Sequence, residues 1–207
     1  MKAGLVLVVI LIILALIFGG MYVGRRNQMA VKREAVSAAW SQVDVVLQRR
    51  ADLIPNLVAT VKGFAVHEEQ VFSEIAQARS ALIGAKTPAD KIAANGALDS
   101  ALSRLLVITE NYPQLKSNEN FLRLQDELAG TENRIAVERK RYNDTLQDYN
   151  TYISLFPNSF IAGIAGFARN DAYFKADEGS RTAPKVDFDF KKSPAPAATP
   201  VPAPSKP

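Results

Sequence analysis

The sequence predicts an all-α protein: an N-terminal transmembrane helix followed by an up-and-down antiparallel four-helix bundle. Three observations predict it. Residues Ala3 to Val23 run for 21 positions without a charge or a proline. Four prolines, Pro55, Pro88, Pro113 and Pro157, cut the middle of the chain into helix-length pieces, since proline suits first turns and connections and breaks helix interiors. The last of those pieces repeats apolar residues every seven positions for about 35 residues.

The apolar run reaches about 31 Å as a helix, the thickness of a hydrocarbon core. A cleavable signal peptide is its main competitor. Its apolar region is usually about 7 to 15 residues long and ends in a small-x-small pair, which Ala15-Leu16-Ile17 and Gly20-Met21-Tyr22 both fail to supply. The run therefore reads as a permanent anchor, residues 1–24, in a bacterial inner membrane. Lys2 alone precedes it, whereas Arg25, Arg26, Lys32 and Arg33 follow it. Positive charge stays on the cytoplasmic side, which favours a cytoplasmic domain, although a long following domain weakens the rule and leaves the periplasm open.

The folded domain is expected over residues 25–176. Its first helix continues the anchor from about Asn27 to Arg50, with Val36, Trp40, Val43 and Leu47 as one stripe. Asp52 is placed to cap a second helix with Pro55 in its first turn. The stripe Val61, Phe64, Glu68, Val71, Ile75, Ala78 and Leu82 then follows it. Gly84 and Thr87-Pro88 make a turn. A third helix carries Ile92, Leu98, Leu102, Leu105 and Tyr112 up to Pro113, weakened at Gly96 by about 1 kcal/mol. The fourth starts near Ser117 or Asn118 and carries the seven-residue row Phe121, Leu128, Ile135, Tyr142, Tyr149 and Phe156, with Leu124, Leu146 and Ile153 beside it. Long helices with short connections pack as antiparallel neighbours.

From about residue 157 glycine and large apolar residues alternate, which reads as a clasp over one end of the bundle. A membrane-surface element is disfavoured there by its few basic residues. Residues 177–207, rich in proline and alanine, read as a disordered tail.

Several strings occur in order: AWSQVD at Ala39 to Asp44, RRADLIPNLV at Arg49 to Val58, ARSAL at Ala78 to Leu82, ENYPQLK at Glu110 to Lys116, ENFLRLQDEL at Glu119 to Leu128 and TENRIA at Thr131 to Ala136. With them the chain resembles the LemA family of bacterial membrane proteins from the anchor to about Phe174. The resemblance implies a single-pass protein with a cytoplasmic helical bundle and supplies no catalytic residue to carry over.

The residues themselves argue against enzymatic chemistry. His67-Glu68 could open a zinc-binding HExxH motif, but position 71 is Val71 and His67 is the only histidine, so two imidazoles cannot meet one zinc. Gly163-Ile164-Ala165-Gly166 is too short for a phosphate loop. The cluster Glu110, Asn111, Glu119, Glu127, Glu132 and Asn133 could hold a cation, although helix caps and first-turn acids account for it more simply. No cysteine is present, which removes disulfides and thiolate sites. No cofactor is expected.

Glu68, a carboxylate on an apolar stripe, needs a partner because a lone buried charge costs several kcal/mol. Arg49, Arg50, Arg79, Arg104 and Arg134 are the candidates for a polar core or groove. From Arg25 to Ala176 there are 19 Lys and Arg against 17 Asp and Glu. So near-neutral a domain gives no reason to expect nucleic acid.

The expected partners are thus the lipid bilayer and a protein left unidentified, for which the bundle would be a docking or scaffolding module. The alternatives are self-assembly, for which Gly20 and Gly24 allow close helix approach, and a hydrolase or an accessory to a membrane protease.

Overall fold

In a computed structural model that describes residues 2–175, every regular element is helical. The six helices are α1 (Lys2–Lys62), α2 (Glu69–Gly84), α3 (Pro88–Thr109), α4 (Pro113–Lys116), α5 (Glu119–Ser154) and α6 (Asn158–Ala165). The expected tail, 177–207, lies outside the described residues.

The apolar run and the first domain helix are one rod, as the lack of a breaker predicts. At 61 residues α1 extends about 92 Å, and its first part is long and apolar enough to cross a membrane. Burial begins at Met29 and continues through Val36, Ala39, Val43, Leu47, Ile54, Leu57 and Val61, the 3/4 spacing of one stripe.

The rod does not stop where the sequence suggested. Asp52 is no cap: it accepts a hydrogen bond from Gln48 within α1, and the helix runs on through Pro55 to Lys62. The real break is the turn at Gly63 to Glu68. Proline has no N–H, so Pro55 leaves the carbonyl four residues back, that of Ala51, without its helical partner. Arg79 of α2 supplies the missing donor, its Nε lying 2.7 Å from the Ala51 oxygen. The helix tolerates its proline because a neighbour takes over the orphaned acceptor.

Two packed pairs dominate, α1 with α5 and α2 with α3. Tyr152 bonds to Gln28, Asp148 to Lys32, Tyr142 packs on Trp40, and Glu132 reaches Arg50. Residue numbers rise along α1 as they fall along α5, so the two run antiparallel. Along α3, Lys91 pairs with Asp44 and Asn95 with Arg50, so α3 runs parallel to α1. Thr87 caps α3 by accepting from the Asp90 N–H, and Asn118 caps α5 by accepting from the Phe121 N–H. The seven-residue row holds from Phe121 to Tyr149 and fails at Phe156. That residue lies beyond the end of α5 and is 88% exposed.

Residues beyond α6 form an extended strap along the side of α5. Asn150 and Asn143, two helical turns apart, each make a reciprocal pair with a strap peptide. Asn150 donates to the Asn170 carbonyl at 2.6 Å and accepts from the Asn170 N–H at 3.0 Å. Asn143 does the same with Phe174, at 2.9 and 3.0 Å. A side-chain amide offers the donor and acceptor of a peptide group, so each asparagine stands in for a strand edge.

Replacing Arg79 by methionine is expected to cost about 1.5–3 kcal/mol, the range for hydrogen bonds to charged donors. In a Pro55→Ala background the backbone N–H restored at position 55 re-engages the Ala51 carbonyl, so the same replacement should cost measurably less. Thermal unfolding of the four proteins in detergent checks this, and equal losses in both backgrounds would break the link.

Candidate functional site

One turn of α1 bonds to three other helices. While the Ala51 carbonyl receives Arg79 of α2, the neighbouring Arg50 side chain turns the other way and is buried at 7% exposure. Its Nη1 donates to Asn95 Oδ1 of α3 at 3.1 Å, lies 3.0 Å from Glu132 Oε2 of α5, and is paired with Asp99 of α3. Asn95 donates in turn to Asp99 Oδ2 at 2.9 Å. Arg139, one side over on α5, stands 3.7 Å from Asp99 and 3.9 Å from Glu132.

Nη1 carries two protons and faces three acceptors. Asp99 Oδ1 and Glu132 Oε2 are therefore within ion-pair range of it yet lack an aligned hydrogen bond. Two guanidiniums against two carboxylates leave the cluster neutral, so it has no net charge with which to draw a small ion. Its chemistry is that of a fork: a rigid guanidinium that holds α3 and α5 at fixed places on α1. Above it α3 and α5 leave a groove of about 300 Å³, lined by Asp99, Glu132 and Gln125 on its polar side and Leu57, Leu102 and Leu128 on its apolar side.

Beyond Arg139 the cluster meets an aromatic group. Arg139 lies over the Phe174 ring, 5.0 Å from its centre. Phe174 stacks on Trp40 at 6.1 Å, and Tyr142 meets both edge-on at 5.2 and 6.0 Å. These are favourable arrangements for ring quadrupoles and a cation. Tyr142 is fully buried and its hydroxyl has no hydrogen-bond partner among the described residues. Burial, and then Tyr173 nearby, push its pKa above the usual tyrosine value, because the phenolate loses more hydration than the phenol.

The buried polar cluster is centred on Arg50 and not on Glu68. Glu68 falls in the turn before α2, partly exposed, and accepts a hydrogen bond from the Tyr112 hydroxyl at 3.3 Å. With Phe64 in that turn, Glu68 leaves the stripe on which the sequence placed it. Arg49 and Arg134 are exposed, Arg104 pairs with Glu74 on the surface, and Arg79 serves Ala51. Arg50 alone among the candidates is buried. Asn95, Asp99 and Arg139 were not expected. For Arg50 itself a signal was available: it sits three residues after Leu47 and four before Ile54, a charge on an apolar stripe. Glu132, grouped in the sequence with a possible cation cluster, belongs to Arg50, while Glu119 lies in the first turn of α5.

Comparison with known proteins adds a family. The model described as "LemA family" matches residues 39–188. Magnetosome protein MamQ 2 of Paramagnetospirillum magneticum is 28% identical, with 73% of this chain and 65% of the relative covered. Magnetosome protein MamQ of Magnetospirillum gryphiswaldense is 27% identical, over 75% of this chain and 66% of its own. Protein LemA of Metamycoplasma hominis is 27% identical, over 84% and 77%. The chain thus spans slightly less than two-thirds of the length of the magnetosome relatives.

Removing the fork should hurt more than removing a surface ion pair and less than breaking a fully buried one. The reason is that the Asp99 and Glu132 side chains keep 36% and 43% of their exposure. Arg50→Met is expected to cost about 2–3 kcal/mol, below the roughly 3–5 kcal/mol of a buried pair. Adding Asp99→Asn and Glu132→Gln should recover part of it, as thermal unfolding would register.

Tyr142→Phe should raise stability at neutral pH by about 1 kcal/mol, since it deletes an unsatisfied hydroxyl. Because the folded pKa lies above the unfolded one, the native state holds its proton longer. Stability contributed by this group is complete below pH 10 and falls as pH rises above it. The variant should therefore unfold less readily in alkali, and an unchanged alkaline profile would count against the assignment.

Proposed function

The chain belongs to the LemA family, and on that premise we propose that it is a non-enzymatic docking or scaffolding module presented at a bacterial inner membrane. Family membership and the N-terminal apolar helix make it a membrane-associated helical protein. The single observation that supports the finer reading is the continuity of α1 from the apolar run to the far end of the domain. The α2–α3 hairpin contacts this rod from about Asp44 to Lys62. On a straight helix that places the hairpin roughly 30 to 57 Å beyond Gly24. Between α2 and α3 runs an open, shallow groove of about 450 Å³, lined by Ala78, Ala81, Ala97 and Ala101 with Glu74 and Arg104 at its rim. Small side chains allow a partner helix to approach closely.

The four basic residues after the anchor support a cytoplasmic domain. A fluorescent-protein fusion at the C-terminus should then glow while an alkaline phosphatase fusion stays inactive. The opposite pattern would move the domain across the membrane.

Docking is checked by photo-crosslinkers at Gln77 and Ser100 on the groove and at Lys140 on α5, in native membranes. A recurring protein adduct is expected from the first two positions and not from the third. Adducts only between copies of this chain would favour self-assembly, and none at all would defeat docking. A reproducible hydrolytic activity of the full chain would overturn the non-enzymatic reading.

A further inference from the structure

Helix α6 packs on α1 and α5 through its buried Asn158, Ile161 and Ala162. Asn158 also ties down the preceding turn, donating to the Tyr152 carbonyl at 2.9 Å. The opposite face is apolar and open: Phe160 is 70% exposed and Ile164 63%, preceded by Leu155 at 57% and Phe156 at 88%. No charged residue occurs from Leu155 to Phe167. A contiguous patch of this kind marks a binding surface.

Its position identifies what covers it. A cleft of about 490 Å³ is lined jointly by Phe18, Met21 and Tyr22 of α1 and by Phe156, Pro157 and Phe160. The patch therefore stands level with the last turn and a half of the apolar run. At 1.5 Å per residue, Phe18 lies about 8 Å and Tyr22 about 2 Å inside the end of that run at Val23. Interfacial helices bury their apolar faces about 5–10 Å into the headgroup–acyl boundary. Arg25 and Arg26 follow at headgroup level.

We propose that residues 155–167 form a second membrane contact, a foot that inserts Leu155, Phe156, Phe160 and Ile164 into the leaflet in which the anchor ends, with a lipid acyl chain in the shared cleft. The proposal rests on the anchor reading above. The scarcity of basic residues is no obstacle, because the covalently attached anchor already holds the patch at the bilayer and cationic attraction is not needed to bring it there. Much of the backbone is paired internally, being helical from Asn158 to Ala165 and closed by the left-handed Gly166, with the Leu155 N–H donating to the Thr151 carbonyl and the Leu155 carbonyl accepting from Ser159. Two contact points would fix the tilt of the rod as well as its depth.

The chain has no cysteine, so nitroxide labels can be placed singly in the full chain by Phe160→Cys and Ile164→Cys. Leu11→Cys gives a lipid reference and Gln77→Cys a water reference. In vesicles of phosphatidylethanolamine and phosphatidylglycerol, labels at 160 and 164 should show an oxygen-to-nickel-chelate accessibility ratio several-fold above that at 77, approaching that at 11. A lipid-like signal at 11 with water-like signals at 160 and 164 would overturn the foot and leave the anchor standing. Water-like signals at all positions would overturn both. Exclusion of oxygen and chelate alike at 160 and 164 would mean that protein covers the patch, and would overturn the lipid assignment. All these side chains are exposed, so their replacement spares the core.

Discussion

The fold depends on what one turn of α1 offers its neighbours. Arg50 gives a buried guanidinium to α3 and α5, and Ala51 gives a spare carbonyl to α2. Both are polar groups in an apolar setting, where an unmet donor or acceptor costs about 1–3 kcal/mol. Apolar stripes alone would let the helices slide or rotate against the rod at modest cost. A guanidinium with acceptors on two helices, and a carbonyl that lost its own amide to Pro55, permit very few arrangements. The register of three helices is set at Arg50 and Ala51, and the surrounding leucines and valines supply the bulk of the burial.

The sequence was legible where one rule governed and misleading where two competed. The unbroken apolar run, the turn at Gly84 to Pro88, and the seven-residue row to Tyr149 each follow from local pattern alone. Pro55 is the instructive failure. Local chemistry says that a helix begins beside it, whereas tertiary packing supplies Arg79 and carries the helix through. A first helix that ended at Arg50 would put that charge at its terminus and leave Glu68 as the charge on a stripe. Once the break is seen to fall after Lys62, Glu68 becomes a turn residue and Arg50 the anomaly. Asp99 and Arg139 could not have been found so readily, since pairing them with Arg50 requires the rotation of α3 and α5 about their axes.

The strap shows a different kind of opacity. Nothing in residues 166–174 has helical or strand periodicity, and their order comes from Asn143, Asn150 and Tyr149 on α5, whose Oη donates to the Ala168 carbonyl at 2.9 Å. The information lies in the partner helix, so reading the strap by itself yields only a mixed stretch of aromatic, small and polar residues. The strap in turn delivers Phe174 to Trp40 and Arg139. The polar cluster and the aromatic cluster thus share Arg139 as a common wall.

A rod is only as stiff as its weakest turn, and in α1 that turn is predictable. Gly19, Gly20 and Gly24 fall within six residues, each about 1 kcal/mol poorer than alanine in a helix, and no other group of the described fold comes within contact distance of where their side chains would be. Above them α5 grips α1 from Gln28 onward; below them begins the unsupported apolar run. Bending would concentrate between these two regimes. Helix α6 spans that gap, reaching from α5 down to Phe18 and Tyr22, and so braces the rod where its sequence is softest. A tilt imposed on the apolar run would then be carried past the glycines to the α2–α3 hairpin rather than lost at a hinge.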